Sequence, residues 1–104
     1  MQIQIHTDNH VEGYKRMEDY YSTAIEESLK RFTEKITSLH IHLGDENSEK
    51  FSTDDKRCTI EARIAGLKPV AVVNHADTIE KAVNGATAKL KHLLETTFDK
   101  MKTH

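Results

Sequence analysis

With 104 residues, 37% of them hydrophobic, and no Gly/Pro/Ser-rich stretch long enough to join two units, the chain is expected to form a single domain over 1-104 with a modest core. Its 15 Lys and Arg stand against 17 Asp and Glu, a net charge of −2, so there is no overall positive field for nucleic acid and any RNA binding needs a local patch. A lone cysteine excludes an internal disulfide, the start MQIQIHTDNH lacks the layout of a signal peptide, and no apolar run approaches the ~20 residues of a membrane span; the cytoplasm is the expected compartment.

At the amino end Ile3 and Ile5 alternate with Gln2, Gln4 and His6, the period-two signature of a half-buried strand. Asn9 to Gly13 breaks that pattern. From about Tyr14 to Lys35, the residues Met17, Tyr21, Ala24, Ile25, Ser28, Phe32 and Ile36 recur at three- and four-residue steps, with Leu29 widening the stripe, and predict helix one. Leu39, Ile41 and Leu43 alternate with Ser38, His40 and His42 as strand two, which stops at the turn formers Gly44-Asp45-Glu46-Asn47. Residues 45 to 56 are polar and acidic with little to bury, and predict a mobile connection.

Strand three follows, with Cys58, Ile60, Ala62 and Ile64 inward and Arg57, Thr59, Glu61 and Arg63 outward. Ala65-Gly66-Leu67-Lys68 predicts a tight turn into strand four, Val70 to Asn74, with Pro69 at its first residue or on a sheet edge. Asp77 is the expected cap of helix two, because Glu80 stands three residues later and Ile79, Ala82, Val83, Ala86, Leu90, Leu93, Leu94, Thr97 and Met101 hold one stripe beyond it. Gly85 costs that helix about 1 kcal/mol against alanine, and with Ala82 and Ala86 it removes bulk where the helix can approach its neighbours closely.

Strand one reaches strand two through a helix, which predicts a parallel pair with a right-handed crossover; strands two, three and four then follow as antiparallel neighbours. The expected fold is α+β, β-α-β-β-β-α, with a four-stranded mixed sheet in the order 1-2-3-4, strands 1 and 2 parallel, and two helices packed on one face.

The open face of such a sheet gathers His6, His40 and His42. Three imidazoles suit zinc, or base stacking with charge gained as pH falls, or only a wet polar face; no Cys pair or fourth ligand stands at metal spacing, so no metal site is expected. His10, His75, His92 and His104 are scattered and add nothing to that cluster. The acidic residues between Asp45 and Asp55 miss the EF-hand spacing. Arg57 and Arg63, with Glu61 between them, read either as a cross-strand ion-pair ladder or as an RNA contact. Cys58 is a core thiol, Tyr21 falls in the buried stripe of helix one, and Tyr14 and Tyr20 cover its end or stack on a base. No phosphate loop, serine elbow, metal dyad or pocketed carboxylate pair is present, so neither catalysis, a cofactor nor a small-molecule substrate is expected.

The element order, the opening Met1-Gln-Ile-Gln-Ile, the span Val11-Glu12-Gly13 leading into helix one and the closing Asp77…Ala82-Val83-Asn84…Lys89-Leu90 resemble the bacterial ribosome hibernation promoting factors, also called ribosome-associated translation inhibitors or sigma-54 modulation proteins. The likeness covers essentially the whole chain. His42-Leu43-Gly44-Asp45-Glu46-Asn47 and Asp54-Asp55-Lys56-Arg57-Cys58 through Glu61-Ala62-Arg63 look like a distinct short branch of that family. The resemblance implies a one-domain protein that binds the small ribosomal subunit in the channel used by messenger and transfer RNA and holds idle or stressed ribosomes inactive. Longer members carry a second domain that dimerises ribosomes; this sequence ends at His104, straight after helix two, so dimerisation by that route is not expected.

Binding of that kind needs cations at phosphate spacing. Helix two offers Lys81, Lys89, Lys91, His92, Lys100 and Lys102, of which Lys81, Lys89 and His92 lie close to one side; helix one offers Lys15, Arg16, Lys30, Arg31 and Lys35. The expected rRNA-contacting set is Lys30, Arg31, Arg57, Arg63, Lys81, Lys89, Lys91, His92 and Lys100. Family members are usually more basic where this sequence has Glu26-Glu27-Ser28 and Glu95-Thr96-Thr97. The bland alternative is a solvated helix face laced with i,i+4 pairs such as Glu26 to Lys30 and Glu27 to Arg31. A competing class is a protein-interaction module of the same fold, self-associating weakly as a homodimer or meeting a partner through the sheet face or the edge of strand four.

Overall fold

The computed structural model describes residues 1–7, 14–45 and 55–102. The element order is β1 (Gln2–Thr7), α1 (Tyr14–Ser28), a 3-10 turn (Lys30–Phe32), β2 (Ile36–Asp45), β3 (Lys56–Ile64), β4 (Val70–Ala76) and α2 (Ile79–Lys102). The four strands form one mixed sheet in the order β1-β2-β3-β4. β1 pairs in parallel with β2, Ile5 beside Ile41, and β2–β3 and β3–β4 pair antiparallel, Ile41 beside Ile60 and Ile60 beside Val72. The expected α+β architecture is thus the one observed.

Because successive strand residues point to opposite faces, one face collects Leu39, Ile41, Leu43, Cys58, Ile60, Ala62 and Ile64, which pack against Ile25 and Leu29 of the first helical segment and Val83, Ala86, Leu90 and Leu94 of α2. Each fully buried aliphatic side chain among them contributes about 1.5–3 kcal/mol of transfer free energy. Met1, Ile3, Ile5, Val70, Val72 and Ala76 complete the edges of this core. Gly66, at φ 78°, allows the reversal between β3 and β4, and Pro69 stands just before β4, an edge strand where its missing donor costs nothing.

Four boundaries differ from the sequence expectation. Helix one does not run to Lys35: α1 ends at Ser28, and the chain tightens so that Phe32 N–H donates to the Leu29 carbonyl at 2.9 Å and Lys35 N–H to the Phe32 carbonyl at 2.9 Å. The tightening stacks Phe32 on Phe98 of α2, ring centroids 5.7 Å apart, and releases Ile36 to open β2 instead of continuing the helical stripe. β2 accordingly begins at Ile36 and passes an irregularity between Ile36 and Ser38, where the Thr37 hydroxyl donates to the Arg63 carbonyl at 3.1 Å. Strand four extends past Asn74 to Ala76, carried by the pairing of Ala76 with Lys56. The cap of α2 is Thr78, not Asp77: its hydroxyl accepts from Lys81 N–H at 3.1 Å, while the Asp77 carboxylate pairs with the Lys81 ammonium at 3.2 Å. The connection expected between the second and third strands lies, for residues 46–54, outside the described residues.

The close approach expected at Gly85 is made to β4. Asn74 donates from its carboxamide to the Lys81 and Ala82 carbonyls at 3.4 and 3.3 Å, and a Cβ on Gly85 would overlap that carboxamide. Four residues further along α2, the Lys89 ammonium donates to the Val73 carbonyl at 2.8 Å. A lysine thus covers a backbone acceptor on the exposed edge of the sheet, a device that discourages strand-on-strand association.

Candidate nucleic-acid interface

The two helices lie side by side over the inner face. Tyr20 of α1 donates to Glu80 at the start of α2 at 3.2 Å, Arg31 lies 3.8 Å from Glu95, and Phe32 meets Phe98 further on. Between these ties lies a cleft of about 270 Å³ lined by Ala24, Ser28, Asn84, Thr87, Ala88 and Lys91. The buried Thr87 hydroxyl is turned back on the Val83 carbonyl at 2.7 Å, and Lys91 forms part of the cleft wall. The Phe32–Phe98 pair anchors two cations: the Arg31 guanidinium lies 5.0 Å from the Phe32 centroid and the Lys35 ammonium 5.1 Å from that of Phe98.

The structure divides the nine expected RNA contacts between two faces. Lys30, Arg31, Lys81, Lys89, Lys91, His92 and Lys100 are on the helical side; Arg57 and Arg63 point from β3 to the open face of the sheet. Helix-side cations do not form one row. Lys91 lies at the seam with α1, whereas Lys89 reaches the opposite flank of α2, where its ammonium meets the Val73 carbonyl of β4. Arg31 pairs with Glu95 across the helices, Lys81 with Asp77 at i,i+4, and Arg63 with Glu61 at 3.4 Å. At the exposure of these pairs each is worth only about 0–1 kcal/mol, so the cations remain available to stronger anions. Lys35, outside the expected set, joins Arg31 at the far end of the seam; only the Phe32–Phe98 contact, invisible in local spacing, brings it there.

On the open face, β1 carries His6 and β2 carries His40 and His42 as expected, with His6 directly beside His42 and their rings stacked at 4.9 Å and 21°. His75, read from sequence as scattered, belongs to the same face: β4 extends far enough to place it opposite Arg57. The missed signal is the alternation Ala71, Val73, His75. No group of three or more His, Cys, Asp or Glu side chains among the described residues can hold a metal ion.

A family model described as sigma 54 modulation protein / S30EA ribosomal protein matches residues 3–102. The chain belongs to that family. Among solved structures, the N-terminal domain of Thermus thermophilus Protein Y superposes with a TM-score of 0.73 at 15% identity, covering 93% of this chain and 99% of that one. A ribosomal subunit interface protein from Coxiella burnetii superposes at 0.61 with 21% identity, covering 100% of each chain. At such identities these two likenesses show the fold alone. No curated protein matches the chain.

For a member of the sigma 54 modulation / S30EA family, a family of ribosome-associated factors and not of enzymes, the remaining titratable groups read as structure. Burial pushes the Cys58 thiol up to about 12, so it stays a protonated core side chain and is no nucleophile. Burial, followed by the charge of Glu80, raises Tyr21. Lys56 bridges Asp55 at 3.0 Å and Asp45 at 3.2 Å; its hydrogen bond to Asp55 is the main cause that holds its proton more tightly. Two carboxylates of the acidic connection are thereby satisfied by a lysine. Among the described residues no helix is long and apolar enough to cross a membrane.

Proposed function

We propose that the chain is a cytoplasmic ribosome-associated factor that binds the small ribosomal subunit through 16S rRNA and inhibits translation in idle or stressed bacterial cells. The observation that carries this reading is the family match across 3–102. The names of the structural neighbours, a ribosomal subunit interface protein and Protein Y, agree with it. The chemistry is phosphate neutralisation by the helical side, with Arg31 and Lys91 at the α1–α2 seam and Lys30 in the 3-10 turn as the principal contacts, and Lys81, His92 and Lys100 along the outer length of α2. Arg31 exchanges Glu95 for a phosphate, an exchange favoured because guanidinium binds phosphate in a two-pronged geometry. Occupying the messenger and transfer RNA channel blocks decoding without any catalytic step, membrane contact or small-molecule substrate.

A second reading has its own support. The net charge of −2 and the ion pairs at Arg31, Lys81 and Arg63 favour a protein-interaction module that has lost strong rRNA binding. Capture on purified small subunits, together with inhibition of a cell-free translation reaction, separates the two. The ribosomal reading predicts both effects, each weakened by Lys30→Glu with Lys91→Glu in a domain that stays folded; no capture even at low salt establishes the interaction module.

A further inference from the structure

Among the described residues four histidines project from the open face of the sheet: His6 from β1, His40 and His42 from β2, and His75 from β4. β3 adds Arg57 toward one end and Arg63 toward the other, about 20 Å apart at the rise of a strand. Among the described strand residues Glu61 is the carboxylate on this face, standing opposite His40 and accepting from Arg63 at 3.4 Å, and at the β1 edge Glu18 and Asp19 of α1 line one pocket with Gln4 and His6. Both helices pack against the other face of the sheet, so this surface is not part of the core.

We propose that this face is a second nucleic-acid surface, which stacks bases of single-stranded RNA on the His6–His42 pair and holds the flanking phosphates with Arg57 and Arg63. The two imidazoles already lie face to face at 4.9 Å and 21°, so a base added to the stack meets a planar ring without rearrangement. Thr59 and Val73 continue the same cross-strand row as short side chains, leaving room over the sheet beside the rings. Base stacking tolerates any sequence because every base presents a π-face, and guanidiniums at both ends position the backbone without reading it. Imidazole is the side chain whose charge changes between about pH 5 and 8, so anion binding here tightens as pH falls. An acidic peptide lacks the π-face and gains nothing from the stacked rings. The surface lies across the sheet from the helix-side cations, so it stands or falls independently of the ribosomal reading.

The test is fluorescence anisotropy of a labelled oligouridine of about ten nucleotides with the full chain in low salt, at about pH 6 and about pH 8. The expected result is at least about fivefold tighter binding at the lower pH, with His6→Ala combined with His42→Ala losing about fivefold or more at pH 6 and most of the pH gain. Lys30→Glu with Lys91→Glu leaves the pH gain in place. Unchanged binding in the histidine variant, no binding at either pH, or a polyglutamate peptide captured with the same pH gain and the same histidine dependence overturns the proposal. Because both histidines are exposed the variant should fold, which circular dichroism checks; amide shifts on titrating oligouridine into the wild type give a second readout. Shifts along β1 and β2 support the face, and shifts confined to α1 and α2 refute it.

Discussion

On their inner side β2 and β3 present Leu39, Ile41, Leu43, Cys58, Ile60 and Ala62, none more than 2% exposed, while the alternate residues of the same strands present His40, His42, Arg57, Thr59, Glu61 and Arg63 outward. A single period-two pattern thus separates the side chains that hold the fold from those on the open face. The helical layer shows no such separation. Lys89 of α2 both covers a β4 carbonyl and carries charge, and Arg31 of the 3-10 turn both stacks on Phe32 and pairs with Glu95, so cations there take part in packing as well as in the surface charge.

The contrast between the two sheet faces is sharpest at neighbouring positions. Ile60→Ala should cost about 2–5 kcal/mol in urea denaturation, whereas Thr59→Ala, one residue away and outward, should stay within about 0.5 kcal/mol. Comparable costs at the two sites would erase the distinction. Alkaline pH probes the same inner face. The folded state keeps the Cys58 proton up to about 12, against 9.0 for an unburied thiol, so this stability is fully present below pH 9 and is lost as pH rises toward 12, by about 1.4 kcal/mol per unit at most. Tyr21 and Lys56, both raised, act in the same direction. Cys58→Ala should flatten the fall in stability between pH 9 and 11 measured by denaturant titration at each pH; an unchanged slope would remove the thiol from the account.

Smaller effects test how β4 and α2 are joined. Gly85→Ala gains about 1 kcal/mol of helix propensity but drives a methyl into the Asn74 carboxamide, and the net expected change is a loss of roughly 1 kcal/mol. With Asn74→Ala already present, the same substitution should become stabilising, and a double-mutant cycle measures that reversal. Thr78→Ala should cost about 1 kcal/mol by removing the cap of α2, and Asp77→Ala clearly less, because Asp77 only pairs with an exposed lysine. Equal losses would return the cap to Asp77.

Strand alternation made the sheet, its order and its inner residues legible in the sequence, because burial on one face writes itself into every second position. Helix ends were harder to read. Ser28, Phe32 and Ile36 keep helical spacing across a real boundary, since a tightened turn and a strand start bury Phe32 and Ile36 as a continued helix would, and only the stacking of Phe32 on Phe98 decides between them. Asp77 and Thr78 are both able to cap, and the choice rests on a single hydroxyl contact. The charged sites were the least legible. Which cations meet depends on the pairing of α1 with α2, so Lys35 joins Arg31 and Lys89 reaches the sheet edge without any local signal in the chain, whereas the alternation Ala71, Val73, His75 already marks His75 for the open face beside Arg57.

The central claim, that helix-side cations neutralise ribosomal phosphates, is tested most directly by the salt dependence of capture on small ribosomal subunits. The account predicts a log–log slope of about −3 to −4 for the wild-type chain, made shallower by about 1 for each of Lys30→Glu and Lys91→Glu. Capture with a slope near zero, or with a slope those substitutions leave untouched, would contradict it.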